Sequence, residues 1–179
     1  MLGILKAGKF FVLLDPSFPA ERIASVIEDS QAALLVVDQR TVLSAQQVTT
    51  RRCQLIRFDR LAHPMPAENP RIPISPHALA CIVYTSGSTG EPKGVVRNHR
   101  TLLHGAMLRV RTDGISKDDR LAHITAGTSN AVTNSFYALL QGATLVAIDI
   151  KREGVARLAS RLISASTFGA RGRHDTISV

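Results

Sequence analysis

One stretch near the middle of the chain constrains its fold most, because an apolar run leads straight into a segment rich in glycine and hydroxyl residues. The run from Leu79 to Tyr84 is β-branched and aromatic, which is typical of a buried strand. The segment after it breaks regular structure, since glycine adopts backbone conformations that other residues avoid. The pattern predicts a strand that ends in a glycine-rich loop.

The loop has the composition of a phosphate-binding cradle, although an ordinary polar turn has a similar composition. Its glycines would turn the backbone sharply and bring N–H groups against an anion. Its hydroxyls add donors, its lysine adds a point charge suited to the outer phosphates of a nucleotide, and Pro92 would stiffen the loop. The order is not that of a Walker A loop, because the lysine comes three residues after Gly90. The candidate cofactor-binding residues are Thr85, Ser86, Gly87, Ser88, Thr89, Gly90, Lys93 and Gly94.

The same string closely resembles a known family signature. Tyr84 to Val95, Tyr-Thr-Ser-Gly-Ser-Thr-Gly-Glu-Pro-Lys-Gly-Val, resembles the phosphate loop of the adenylate-forming (AMP-binding) enzymes, which include acyl-CoA synthetases, luciferases and nonribosomal peptide synthetase adenylation domains. A second likeness, to the early core motif of the peptide-synthetase branch, lies upstream at the expected order and distance. It is formed by Leu5–Gly8, Val12–Pro16 and Pro19–Ile23.

The resemblance implies an α/β fold that is part of the large N-terminal subdomain of such an enzyme, with incomplete sheet layers and flanking helices. It implies a partial adenylation domain at 1–163, with a Pro-rich surface connection at 60–76. The residues at 164–179 lack any strand pattern and are expected to be a disordered or frameshifted tail.

The resemblance also implies the chemistry. The complete reaction joins a carboxylic acid to ATP, releases pyrophosphate and leaves an acyl-adenylate, which a thiol of a carrier protein or CoA captures. The backbone N–H groups of the loop and Lys93, the expected catalytic residue, would hold the β and γ phosphates, and Mg²⁺ would share their charge.

The family's adenine- and magnesium-binding motif, ribose-binding aspartate, hinge and C-terminal lysine would lie downstream of this sequence, so no metal ligand is expected here. Three hypotheses follow. The chain is an inactive fragment or relic, one half of a split enzyme completed by another chain, or a nucleotide-binding remnant without catalysis.

A substrate pocket is expected near Ser129 and Asn130. Amino-acid-activating relatives carry an aspartate that grips the substrate's α-amino group, about nine residues before an Ala-Leu-Leu run. Counting back from Ala138 places Ser129 there, and no carboxylate lies between Arg120 and Asp149. Because a buried ammonium needs a paired carboxylate, the expected substrate is an acid without a free α-amino group.

Hydrophobic periodicity predicts the remaining elements. Asn98 is expected to cap a helix whose apolar face holds Leu102, Leu103, Ala106, Met107 and Val110. Strands are predicted at 10–14, 34–37, 54–58, 79–84, 120–125 and 144–148, and helices at 19–27, 40–48, 98–110, 133–140 (ending at Gly142) and 155–163.

Composition and single residues exclude several other functions. The net charge of +8 comes mostly from scattered arginines, without the aromatic interleaving or zinc spacing of a nucleic-acid binder. No segment reaches the length of a membrane span, and two cysteines in 179 residues are typical of free thiols, so a cytoplasmic protein is expected.

His99 and His104 lack partners in sequence and are given no catalytic role. Asp118 and Asp119 are adjacent, so they indicate a solvated turn instead of a metal site.

Overall fold

Helices and strands alternate along the chain as an α/β protein requires, which confirms the predicted class. The computed structural model describes residues 1–49, 51–61, 68–86, 92–124, 129–148 and Gly154. The chain divides into two units, Met1–Asn98 and His99–Val179. The elements of the first unit are α1 (Leu2–Lys6), β1 (Phe11–Val12), α2 (Ala20–Asp29), β2 (Leu34–Val37), α3 (Val42–Val48), β3 (Gln54–Arg57), a 3-10 turn (Phe58–Arg60), β4 (Leu79–Ser86) and β5 (Pro92–Asn98).

The described strands of the first unit form two small sheets. In one sheet β4 is central, with β1 parallel to it on one side and β5 antiparallel on the other. In the other sheet β2 and β3 pair in parallel, with Leu34 beside Gln54 and Val37 beside Arg57. Since parallel neighbours need a crossover, α3 connects β2 to β3.

The upstream motif builds the turns of this unit. Gly8 follows α1 with a φ of +68°, a left-handed conformation that glycine adopts without a Cβ penalty. Asp15 is buried, and its Oδ1 accepts hydrogen bonds from the backbone N–H (2.9 Å) and hydroxyl (2.7 Å) of Ser17. This Asx turn ends the β1 segment and leads the chain to Pro19, the residue before α2.

The core of the first unit lies where α2 and α3 pack together. Ile27, Val48 and Cys53 are buried there, with Ile23 and Leu35 packed against them. Burying each large apolar side chain contributes about 1.5–3 kcal/mol, so the i, i+4 spacing along α2 does most to fix the position of that helix.

The second unit is a parallel strand pair with a crossover helix. Strands β6 (Arg120–Ile124) and β7 (Thr144–Ile148) pair in parallel, and α5 (Ser129–Gln141) connects them. A further helix, α4 (His99–Asp113), packs on α5. The buried cluster between these elements consists of Ala106, Ile115, Leu121, Tyr137 and Ala138.

Several predicted boundaries in the first unit are corrected. The strand predicted at 10–14 is only two residues long, because β1 pairs with β4 at Phe11 and Val12 alone. The strand predicted at 54–58 ends at Arg57, and Phe58 starts the 3-10 turn. Strand β5 and helix α1 were not predicted. Of the Pro-rich connection, the described residues 61 and 68–76 form neither helix nor strand.

In the second unit the apolar face predicted for α4 is partly wrong. Leu102 and Ala106 are buried, whereas Leu103 is 47% exposed and Met107 is 44% exposed. Neighbouring residues differ by about 100° around a helix, so only one of the two apolar stripes is covered. Helix α5 begins at Ser129, four residues earlier than predicted, and Gly142 ends it with a φ of +70° as expected. The helix predicted at 155–163 and the tail at 164–179 lie outside the described residues.

Candidate functional site

The candidate site is the hairpin formed by β4 and β5. Ser86 pairs with Pro92, so residues 87–91 connect the two strands. Pro92 occupies the first position of β5, where proline is tolerated in a sheet. Gly87, Ser88, Thr89 and Gly90 belong to this connection and lie outside the described residues. The structure therefore places the two ends of the predicted loop next to each other.

Thr85 and Lys93 form a cross-strand pair at the base of the hairpin. Their positions are in register, and the Thr85 hydroxyl donates a long hydrogen bond of 3.5 Å to the Lys93 carbonyl oxygen. Both residues are exposed. Directly paired residues have Cβ atoms about 4.5–5.5 Å apart, so the threonine and lysine side chains leave the backbone side by side on one face of the hairpin.

Tyr84 and Gly94 form the neighbouring pair, and they lie on the opposite face because side chains alternate along a strand. A Cβ added at Gly94 would lie 3.2 Å from Tyr84 Cζ and 3.3 Å from Tyr84 Cε1. The tyrosine ring thus lies directly over the glycine. Gly94 was expected to turn the backbone, and this is wrong: it lies within β5 and its φ is outside the left-handed region.

The Tyr84 side chain continues beyond the hairpin to α2. Its hydroxyl donates a 2.5 Å hydrogen bond to Oδ2 of Asp29, the last residue of that helix. Burial raises the pKa of Tyr84 to about 12, and the hydrogen bond to Asp29 and its negative charge act in the same direction, while a hydrogen bond with Ser30 opposes them. Sequence reasoning missed this contact, because the two residues are 55 positions apart.

The other predicted site residues are less fully placed. The backbone of Ser129 and Asn130 starts α5, but their side chains lie outside the described part of the chain. Asp119 accepts hydrogen bonds from the backbone N–H (2.6 Å) and hydroxyl (3.0 Å) of Ser116, and Asp118 is exposed, as a turn requires. Among the residues that the structure describes, no three or more His, Cys, Asp or Glu side chains group closely enough to hold a metal ion. No described helix is long and apolar enough to cross a membrane.

Comparison with known proteins identifies the family. A family model described as AMP-binding enzyme matches residues 1–165. One of the linear gramicidin synthase proteins of Brevibacillus parabrevis is 40% identical over 149 residues, which cover 83% of this chain and 2% of that protein. Surfactin synthase subunit 2 of Bacillus subtilis (strain 168) is 34% identical over 183 residues, which cover 99% of this chain and 5% of that protein.

Solved structures agree with the sequence relatives. A complex of VinN with L-aspartate has a TM-score of 0.75 and 25% identity, with 91% of this chain and 42% of VinN covered. The N-terminal subdomain of Klebsiella oxytoca NpsA has a TM-score of 0.74 and 26% identity, with 91% of this chain and 41% of that chain covered. This chain therefore spans less than half of these two structures, and it belongs to the AMP-binding enzyme family.

Proposed function

We propose that the hairpin holds the phosphates of ATP in an adenylation domain that activates a carboxylic acid. The single observation that carries the proposal is the register of β4 and β5. In that register the exposed side chains of Thr85 and Lys93 leave the backbone beside each other, near the two ends of the 87–91 connection. A lysine cation beside a neutral hydroxyl favours an anionic ligand such as phosphate. Membership of the AMP-binding family supports the same ligand.

In this proposal the hairpin acts on the leaving group. A carboxylate oxygen of the substrate attacks the α-phosphorus, the bond from that phosphorus to the bridging oxygen breaks, and pyrophosphate departs with the electron pair. Lys93 balances the charge that accumulates on the departing oxygens, and the Thr85 hydroxyl exchanges its long hydrogen bond to the Lys93 carbonyl oxygen for one to a phosphate oxygen. The Lys93 ammonium cannot ligate Mg²⁺, and Thr85 offers one hydroxyl oxygen but no carboxylate. A Mg²⁺ ion bound with ATP would therefore need further oxygen ligands beyond these two residues.

Binding is tested directly with inorganic pyrophosphate and with ATP. Lys93→Ala is expected to weaken both by about tenfold to hundredfold, since a hydrogen bond to a charged group contributes about 1.5–3 kcal/mol. Lys9→Ala is the matched control, because Lys9 is an exposed lysine of the same unit, outside the hairpin. Calorimetric titration measures all three proteins. Equal affinity of wild type and Lys93→Ala would refute the assignment.

We further propose that residues 1–179 bind these phosphates but do not catalyse carboxylate-dependent exchange of pyrophosphate into ATP. Phosphate contacts alone do not align a carboxylate with the α-phosphorus, and such alignment supplies much of the rate of a two-substrate reaction. The motifs that contact adenine and ribose in the resembled family are absent from these residues. Measurable exchange by this chain, abolished by Lys93→Ala, would contradict the proposal.

The two alternatives differ in what a second chain does. If the protein is half of a split enzyme, adding the downstream part of a family domain restores exchange activity. If it is a binding remnant, pyrophosphate binds but no added chain restores exchange. Mixing the purified chain with a separately expressed downstream segment of a relative distinguishes the two outcomes.

For the substrate we propose a carboxylic acid without a free α-amino group, such as an aryl, hydroxy or fatty acid. Ser129 stands nine residues before Ala138 within the continuous helix α5, which begins at Ser129 and has no acidic residue in its first turn. The N-terminal end of a helix carries partial positive charge, which disfavours an ammonium nearby. Structural relatives do not decide the class, because VinN is complexed with L-aspartate and the NpsA subdomain with 3-hydroxybenzoyl-AMSN.

The substrate proposal is tested in a complete adenylation domain of the family whose corresponding segment is replaced by residues 1–165. Exchange is measured with matched pairs of an α-amino acid and its des-amino analogue. A preference for the amino acid would overturn it, whereas Ser129→Asp is expected to shift the preference toward the amino acid. We also propose that the thiol of a carrier domain captures the acyl group. A reducing, cytoplasmic compartment is proposed as well, and the two free, buried cysteines agree with such a compartment.

A further inference from the structure

The last residue of α2 has a charge that its position does not favour. Asp29 follows Glu28 at the C-terminal end of α2, and the last turn of that helix contains no basic residue. The C-terminal end of a helix carries partial negative charge, so carboxylates there are destabilising. An unfavourable charge at a helix end is often compensated by a tertiary contact. For Asp29 the hydrogen bond from the Tyr84 hydroxyl is such a contact.

The strand beside the Tyr84 ring carries a glycine at the point where the ring crosses it. The ring of Tyr84 lies across β5 at Gly94, where any Cβ would be 3.0 Å from Ile82 Cγ2 and 3.2 Å from Tyr84 Cζ. An alanine would therefore push the ring away from its path to α2. Tyr84 is the residue directly before Thr85, and Gly94 is the residue directly after Lys93. The contact is thus made one residue from each member of the proposed phosphate-binding pair.

We propose that Tyr84 and Asp29 are positioning residues of the phosphate-binding hairpin: their hydrogen bond, made possible by Gly94, fixes the Thr85–Lys93 end of the hairpin against α2. The inference rests on the proposed function, because it assigns to these residues the positioning of that site. Strand β1 pairs with β4 only at Cys81 and Ile82, so among the described residues the Thr85–Lys93 end of the hairpin is a two-stranded ribbon. Such a ribbon has only marginal stability in water, so this end needs another support to hold two side chains in place. A tyrosine hydroxyl is protonated at physiological pH, and the pKa of Tyr84, raised to about 12, keeps it a donor at alkaline pH as well.

The test removes each partner in turn. Tyr84→Phe keeps the ring over Gly94 and removes the donor, Asp29→Ala removes the acceptor, and Asp29→Asn keeps an acceptor oxygen. Tyr137→Phe is the matched control, since Tyr137 is the chain's other tyrosine and lies in the second unit. Two quantities are measured for each variant: amide hydrogen exchange of residues 79–86 and 92–98, and affinity for inorganic pyrophosphate.

The hydrogen bond predicts a specific pattern. Tyr84→Phe and Asp29→Ala should speed exchange in the hairpin but leave β2 and β3 unchanged, and each should weaken pyrophosphate binding by about threefold to tenfold, a modest loss because Asp29 is exposed. The double variant should lose no more than either single variant, because both remove the same contact. Asp29→Asn should retain most of the wild-type behaviour, which a purely structural loss of the helix end would not explain.

The outcomes separate this inference from the function on which it rests. If wild type binds no pyrophosphate, the proposed function is refuted, and the exchange measurement still decides whether the contact holds the hairpin. If wild type binds pyrophosphate and Tyr84→Phe binds it equally well, the positioning role is wrong. Unchanged hairpin exchange in both single variants, or additive losses in the double variant, would also overturn it.

Discussion

Replacing Gly94 with alanine adds one methyl group beside the Ile82 and Tyr84 side chains of the hairpin. The added carbon would lie 3.0 Å from Ile82 Cγ2, 3.2 Å from Tyr84 Cζ and 3.3 Å from Tyr84 Cε1. Carbon atoms in favourable contact are about 3.5–4.0 Å apart, so at least one neighbour has to move. Both neighbours belong to β4, and the hydroxyl of one of them is already held by Asp29.

Two opposing effects determine how much Gly94→Ala changes the free energy of unfolding. Overpacking of this kind costs about 1–3 kcal/mol. The φ of Gly94 is outside the left-handed region, so alanine meets no backbone strain there, and restricting the unfolded chain contributes about 0.4–1 kcal/mol in favour of folding. Because the steric cost is larger, Gly94→Ala is expected to lower the free energy of unfolding of the first unit by about 1–2 kcal/mol.

Urea denaturation followed by circular dichroism measures this difference, with two alanine controls that have open space. A Cβ at Gly3, in the same unit, or at Gly105, within α4, meets no atom within 4 Å. Gly105→Ala should even be stabilising, by about 0.5–1 kcal/mol, because alanine is the better helix former. The steric reasoning fails if Gly94→Ala is as stable as wild type, or if both controls lose as much stability as it does.

The remaining predictions concern acid stability, thiol reactivity and self-association. The Thr41 hydroxyl lies 2.7 Å from Asp38 Oδ1, and its hydrogen bond is the main reason that the pKa of Asp38 is lowered to about 2. The ionised Asp38 therefore stabilises the folded state above the ordinary aspartate pKa near 4, and this stabilisation is lost as the pH falls toward 2. Thr41→Val should move the pKa of Asp38 upward in an NMR titration, and an unchanged pKa would contradict the assignment. Cys53 and Cys81 are 3% and 0% exposed, and burial raises the pKa of both thiols. Both should therefore react slowly with a thiol reagent at pH 8 and rapidly in urea. Fast labelling of the native protein would contradict this prediction by showing that the thiols are accessible. Val36 is 49% exposed, although it lies on a parallel strand pair of the kind that is normally covered on both faces. The chain should therefore self-associate, and Val36→Thr should reduce the self-association measured by light scattering. A monodisperse wild-type monomer with a sharp melt would refute the expectation.

Periodicity located the elements whose apolar pattern is long or uninterrupted. The strands at 34–37 and 144–148 match their predicted ranges, and the helix at 20–29 starts one residue later and ends two residues later than the predicted one. Strand β5 was missed because proline, lysine, glycine, arginine and asparagine supply five of its seven residues and none favours a strand. Its extended conformation comes from pairing with β4, which is a tertiary effect. Helix α1 has five residues, which is too short for a 3.6-residue period to be detected.

The candidate site was predictable only where it is local in sequence. The strand, the loop composition and Lys93 follow from consecutive residues, and the structure places Thr85 opposite that lysine. The contact between Tyr84 and Asp29 spans 55 positions, so no local pattern reveals it. The role of Gly94 was misread for a related reason. A glycine after a lysine in a loop-like string suggests a turn, while the need for a glycine here comes from an aromatic ring on the neighbouring strand.

The alternation of a β-hairpin sorts the residues of the motif into two groups with different tasks. Thr85 and Lys93 share the face that we assign to phosphate binding, and Tyr84 and Gly94 share the face toward the end of α2. A one-residue change of register would exchange the two groups, so the motif has to preserve its spacing across the connection as well as its residue types. It follows that substitutions on the first face should alter ligand affinity with little effect on unfolding, whereas Gly94→Ala should lower stability even in the absence of any ligand. A long motif of this kind therefore combines ligand contacts with the packing that holds them in place.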